Sequence, residues 1–245
     1  MNNKLFGIDI EKQTKEEVLE KIKKNIETPI NIFHVTSLNP ENVVIAQGDA
    51  TFKKIIETSQ VKIVDGTGVV IAGRFLGVPL GPRITGVDLM TDLLCMANEE
   101  RLRVMLIGGG PKVAERVVEC QSQIFPRIDF SSLEGIKDIK NPQKEEEENI
   151  FSIVSARKPH LLFVAFGSPY QELWLYKNRH RLDNIVCMGV GGAFDFLSGA
   201  IPRAPYLIQM IGLEWFFRLL KQPWRFKRQT RLIQFIALVF REKLR

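Results

Sequence analysis

Two stretches of this chain, Leu161-Leu162-Phe163-Val164-Ala165-Phe166 and Val104-Met105-Leu106-Ile107, contain no polar residue. A strand without polar alternation has both faces buried, as in a parallel sheet covered by helices on each side. Further β-like runs fall at Lys4–Ile10, Ile30–Thr36, Val61–Val64, Arg103–Ile107, Ile128–Ser132, His160–Phe166 and Ile185–Val190. Helix-like stretches separate them, near 14–27, 40–58, 68–76, 87–99, 111–124, 143–157 and 169–180. Such alternation predicts an α/β fold, a Rossmann-like parallel sheet flanked by helices. The acidic run Lys144–Glu148 reads as a helix start, where carboxylates suit the dipole.

The rhythm stops near Ser198–Pro205, where Gly199, Pro202 and Pro205 punctuate the chain. This divides the 245 residues into a body, 1–197, and an appendage, 198–245. From Ile201 onward there are ten Lys/Arg and two acids, a net of +8 against +6 for the whole chain. The excess is therefore confined to the tail, which also holds Trp215, Trp224, Phe216, Phe217, Phe226, Phe235 and Phe240. A basic and apolar segment on a near-neutral body suits a surface where anions and hydrocarbon occur together, a membrane above all. A nucleic-acid partner would explain the tail but not the body. No apolar run reaches the ~18 residues that span a bilayer, and Leu232–Phe240 is interrupted by Gln234. The tail is thus expected to lie on a membrane, or off it to be hidden by self-association. The first residues lack a secretory apolar core, and Cys95, Cys120 and Cys187 show no metal-like spacing.

Within the tail, one helix is expected from Tyr206 to Leu220 and another from Pro223, a position where proline is tolerated. Glu214, Arg218 and Lys221 give the first a polar stripe, and Arg225, Arg228 and Arg231 recur every three residues in the second. A pair of core-packing helices with solvated charges is the alternative reading.

Ligands of parallel α/β sheets bind at the carboxyl ends of the strands. Five ends here are polar or glycine-rich. Asp65-Gly66-Thr67-Gly68 places a carboxylate after a buried strand, as a reactive group or a helix cap. Ser37-Leu38-Asn39-Pro40 offers short hydrogen-bonding groups and a helix start. Gly108-Gly109-Gly110 opens a helix, where backbone N–H groups favour a phosphate; it is not the dinucleotide fingerprint, so a nucleoside diphosphate fits better than a dinucleotide. Gly167-Ser168-Pro169-Tyr170-Gln171-Glu172 and Gly189-Val190-Gly191-Gly192-Ala193-Phe194-Asp195 are the remaining two, the last with a carboxylate for a ribose or base. Arg83, ahead of Asp88, has the planar donors to pair with a pyrophosphate or with that acid.

Taken in this order, the Asp65, Arg83-Ile-Thr-Gly-Val-Asp88, Gly167–Glu172, Met188–Asp195, Arg203-Ala-Pro205, Leu213–Leu220 and Gln222–Arg228 segments resemble the WecG/TagA/CpsF family of bacterial glycosyltransferases over nearly the whole chain. Family members usually carry Thr two positions before the Asn of the second strand's end. Here Ser37 stands there with Thr36 beside it, so either hydroxyl is a candidate. The resemblance implies transfer of an N-acetylmannosamine-type sugar from a UDP donor to a polyprenyl-diphosphate-linked sugar at the cytoplasmic face of the membrane. The TagA branch uses an undecaprenyl-diphosphate-GlcNAc acceptor for the teichoic acid linkage unit; the WecG branch uses a mannosaminuronic acid donor.

An inverting transfer needs a base for the acceptor hydroxyl, and Asp65 is the candidate, since desolvation would raise its pKa usefully. The chain has no Asp-x-Asp motif, so no metal and no cofactor are expected, and the leaving diphosphate must be met by protein cations and helix N-termini. Arg83 is one; Arg218, Arg225 and Arg228 would share a face were the tail helices nearly continuous. The candidate set is thus Asp65, Arg83 and Gln171 for catalysis. Thr36, Ser37, Asn39, Thr67, Arg218, Arg225 and Arg228 serve the substrates, and Gly108, Gly109, Gly110, Gly191, Gly192 and Asp195 the nucleotide.

Overall fold

The computed structural model describes residues 4–29, 31–223 and 226–244, without the side chains of residues 227–229. In chain order the elements are β1 (Lys4–Leu5), β2 (Ile8–Asp9), α1 (Lys15–Glu27), β3 (Phe33–Leu38), α2 (Pro40–Gly48), α3 (Ala50–Thr58), β4 (Val61–Val64), α4 (Thr67–Leu76) and α5 (Gly86–Glu99). There follow β5 (Arg103–Gly108), α6 (Val113–Ile124), β6 (Asp129–Leu133), α7 (Lys144–Arg157), β7 (Leu161–Ala165), α8 (Tyr170–Lys177), β8 (Val186–Gly189) and α9 (Ala193–Leu197). The tail forms α10 (Tyr206–Met210), α11 (Glu214–Lys221) and α12 (Phe226–Lys243).

Six strands form one sheet in the order β4-β3-β8-β7-β5-β6, every pairing parallel. Both faces are buried, as the apolar runs require. From β5, Val104 and Leu106 enter a core with Leu89 and Leu93 of α5, while Met105 and Ile107 enter another with Ile150 of α7 and Trp174 of α8. Leu161 and Phe163 of β7 follow the first pair, Leu162 and Val164 the second. This is the Rossmann-like α/β fold expected.

Three local expectations are corrected. Lys4–Ile10 is not one strand but a hairpin, β1 with β2, turned by Phe6 and Gly7 at φ 52° and 77°. The helix expected over 40–58 breaks at Asp49, whose extended backbone ends α2 and whose carboxylate accepts the Phe52 N–H (3.0 Å) to cap α3. The single helix from Tyr206 to Leu220 is two, broken at Gly212, which has φ 77° and lies so near Thr67 that a Cβ would fall 2.1 Å from its hydroxyl.

A third core cluster lies at the β4 edge and includes the tail. Phe235 of α12 is 3 % exposed among Leu5, Leu38, Val43, Val64 and Val69. Other apolar side chains of the tail are exposed, among them Leu207, Phe216, Leu220 and Ile233. No helix among the described residues is long and apolar enough to cross a membrane.

Candidate active site

Asp65 follows β4 directly, and its own N–H donates to Leu38 O at the end of β3 (2.8 Å). Ile84 extends the sheet edge by donating to Val64 O (3.0 Å), which draws the Arg83–Gly86 loop alongside Asp65. The N-cap of α4 is Gly66, with φ 102° and no side-chain cap, so Asp65 is not that helix's cap. Its Oδ2 instead accepts the N–H of Gly86, the first residue of α5 (3.2 Å). Protein surrounds the carboxyl except on one side, and this burial pushes its pKa up to about 6, outweighing the Gly86 hydrogen bond and the nearby Arg83 cation.

The open side is a cavity of about 740 Å³ between the β3 and β4 ends and the tail helices α11 and α12. One end is polar, with Asn39, Asp65, Thr67, Arg83 and Arg218; the other is apolar, with Ile71, Phe75, Ile236, Val239 and Phe240. Asn39 also caps α2 through the Asn42 N–H (2.9 Å). Arg83 donates to Thr67 Oγ1 (3.0 Å) and to Gln209 O in the tail (3.4 Å).

Of the two hydroxyls at the β3 end, Thr36 is buried away from the cavity, bonded to Ser59 Oγ at 2.7 Å. Strand alternation turns Ser37 to the opposite face, half-buried, though it too is absent from the cavity lining. Thr36 therefore reaches no ligand space.

The tail is held over the site by ion pairs. Arg218 pairs with Asp195 and donates to Gly192 O (2.9 Å), with its guanidinium 4.6 Å from the Phe196 ring centre. Arg231 pairs with Glu41 at the start of α2. Arg203 bridges Asp88 of α5 (2.5 Å) and Glu214 of α11 (2.9 Å). The common face expected for Arg218, Arg225 and Arg228 does not follow from one continuous helix, since α11 ends at Lys221 and Gln222 leaves helical geometry. Arg225 and the side chain of Arg228 lie outside the described residues. Gly192 and Asp195, taken in the sequence as nucleotide groups, here serve as the seat of Arg218.

Gln171 links two strand ends. Its Oε1 accepts the N–H groups of Gly167 and Gly191, each at 3.1 Å, and its Nε2 donates to Glu172 Oε1 (2.8 Å). A second cavity, of about 370 Å³, opens at the other end of the sheet among Gly108, Gly109, Gly110, Gly135, Lys137 and Phe166. It holds the glycine run expected at a nucleotide, although the Gly109 N–H is engaged by Ala165 O (2.9 Å). Arg203, Glu214, Glu41 and Arg231 were not among the candidates; Arg203-Ala-Pro205 was visible only as a tail motif, because its partner Asp88 is distant in sequence. The described residues contain no cluster of three or more His, Cys, Asp or Glu fit to hold a metal.

A doubly covered parallel sheet thus carries, at its strand ends, a carboxylate with a raised pKa and arginines that share a cavity with apolar side chains. The chain belongs to the WecG/TagA/CpsF family of glycosyl transferases, whose model matches residues 3–245. It is also similar to N-acetylglucosaminyldiphosphoundecaprenol N-acetyl-beta-D-mannosaminyltransferase of Staphylococcus aureus strain NCTC 8325, 33% identical over 88% of this chain and 83% of the relative. The protein of the same name from strain MRSA252 matches to the same extent.

Proposed function

We propose that this protein is an inverting glycosyltransferase that moves N-acetylmannosamine from a UDP donor to GlcNAc linked to undecaprenyl diphosphate. The carrying observation is Asp65, desolvated to a pKa of about 6 at the polar end of a cavity whose other end is hydrocarbon-lined. A polyprenyl-linked sugar has the same two-part character. The relatives named above carry this activity in their names.

In this reading Asp65, ionised above pH 6, takes the proton of the acceptor hydroxyl as the sugar's anomeric carbon is attacked. Arg83 and Arg218 meet the charge that develops on the leaving diphosphate. Gln171 holds the β7 and β8 loops in register beneath it. The glycine-lined cavity suits the nucleoside end of the donor: β4 and β5 are four strand spacings apart, about 19 Å, close to the length of an extended nucleotide sugar. The body, 1–197, would then bind the donor. The segment 198–245 completes the site and, through Trp215, Phe216 and Leu220 beside Lys221, rests on the membrane surface that carries the acceptor.

The test is transfer from a panel of UDP-sugars to a short-chain lipid-diphosphate-GlcNAc acceptor. UDP-N-acetylmannosamine should be the preferred donor, and Asp65→Asn should lower kcat about 10²–10⁴-fold with donor binding retained. Preference for a uronic acid donor would point to the WecG-type reaction. Nucleotide binding without any transfer would point to a non-catalytic role.

A further inference from the structure

Asp65 and Arg203 do not touch, yet three contacts connect them. Arg203 donates to Asp88 Oδ1 (2.5 Å) and to Glu214 Oε1 (2.9 Å), joining α5 to α11. Asp88 also belongs to the first turn of α5, where its Oδ2 accepts the Thr85 hydroxyl (2.7 Å) while Thr85 Oγ1 caps the Asp88 N–H (3.1 Å). The next residue, Gly86, supplies the N–H that holds Asp65 Oδ2. The bridge thus bears on the same helix turn that orients the carboxylate.

We propose that Arg203 is a positioning residue for Asp65, clamping the α5 N-terminus to the tail and neutralising its two partner carboxylates, Asp88 and Glu214. The inference rests on Asp65 being the base, as argued above.

The charges facing Asp65 are Arg83 from the loop before α5, Asp88 from α5, and Glu214 and Arg218 from α11. Glu41 of α2 and Arg231 of α12 line the same cavity. Arg83 favours the ionised carboxylate, whereas Asp88 and Glu214 oppose it. Removing Arg203 unmasks both acids and loosens the turn that carries the Gly86 donor. Both changes disfavour ionised Asp65, so they act in one direction. A staple that merely fixed the tail in place would lower the rate without moving this titration.

The experiment is the pH profile of kcat/KM for the full chain, which reports ionisations of the free enzyme. It compares wild type with Arg203→Gln and Arg203→Lys. In Arg203→Gln the acidic limb should move to higher pH, so that kcat/KM on the limb falls about threefold or more. Arg203→Lys keeps the charge but loses the planar fork that reaches both partners; its limb should move less. Thermal melting of each variant verifies that it is folded, and the lysine variant carries the test if the glutamine variant is not. A reduced rate with an unmoved limb, or no change in either, overturns the inference. Full turnover by Asp65→Asn would instead overturn the assignment of the base, and the two failures are distinguishable.

Discussion

Phe6, at the turn of the first hairpin, meets Phe235 of the last helix edge to face, with ring centroids 5.7 Å apart. The two ends of the chain close the same core cluster, beside the cavity that contains Asp65. Phe235→Ala should therefore destabilise the protein by about 3–4 kcal/mol, the usual cost of a buried aromatic. Urea unfolding measures this, and a value near zero would mean that α12 is not seated on the body in solution.

Asp65 gives a pH-dependent stability signature. Its folded pKa lies above its unfolded value, so the native state is stabilised by the proton and loses that stabilisation as pH rises from about 4 to 6. Above pH 6 the full cost of a buried carboxylate remains, about 2–3 kcal/mol for a shift of this size. Asp65→Asn should then be more stable than wild type above pH 6 and indistinguishable near pH 4. Denaturant titrations at the two pH values provide the comparison.

Gly192 is where a single methyl group should uncouple Arg218. A Cβ there would lie 2.0 Å from Arg218 Nη2, the mobile end of a long side chain. Gly192→Ala should leave the fold intact and displace the guanidinium from its seat beside Asp195. Transfer should drop about 10²-fold, the scale of losing one charge-stabilising donor, with a melting temperature close to wild type. Retained activity would remove Arg218 from the proposed leaving-group site.

Donor binding is accessible without the acceptor. UDP without added metal should raise the melting temperature, and at one hundred times its dissociation constant the gain is about 2.7 kcal/mol. NAD should have no such effect. The reverse pattern would exclude a UDP-sugar transferase.

The sheet was legible because strands buried on both faces give apolar runs, unbroken in β7 and over Val104–Ile107 of β5, and β4 lies at Val61–Val64 as read. The same property concealed which residue faces which side: a strand buried on both faces shows no alternation, so Thr36 and Ser37 were equivalent until Ser59 was found against one of them. Asp49 was missed although Gly48 precedes it, because an isolated glycine inside a helical pattern is tolerated and a cap has no periodic signal. Asp65 stood out through its place after a strand. Its dependence on Gly86, and the bridge from Arg203 to Asp88, join residues 21 and 115 positions apart, which no local pattern reveals.

The last helix is apolar on two sides. Phe235 faces the core at 3 % exposure, while Ile233 is 71 % exposed. An amphipathic peptide folds as it meets a bilayer, but α12 is already helical and anchored from behind. Adsorption through its outer side would be a rigid-body event, with no gain of helix on adding vesicles and no ordering entropy to offset the contact.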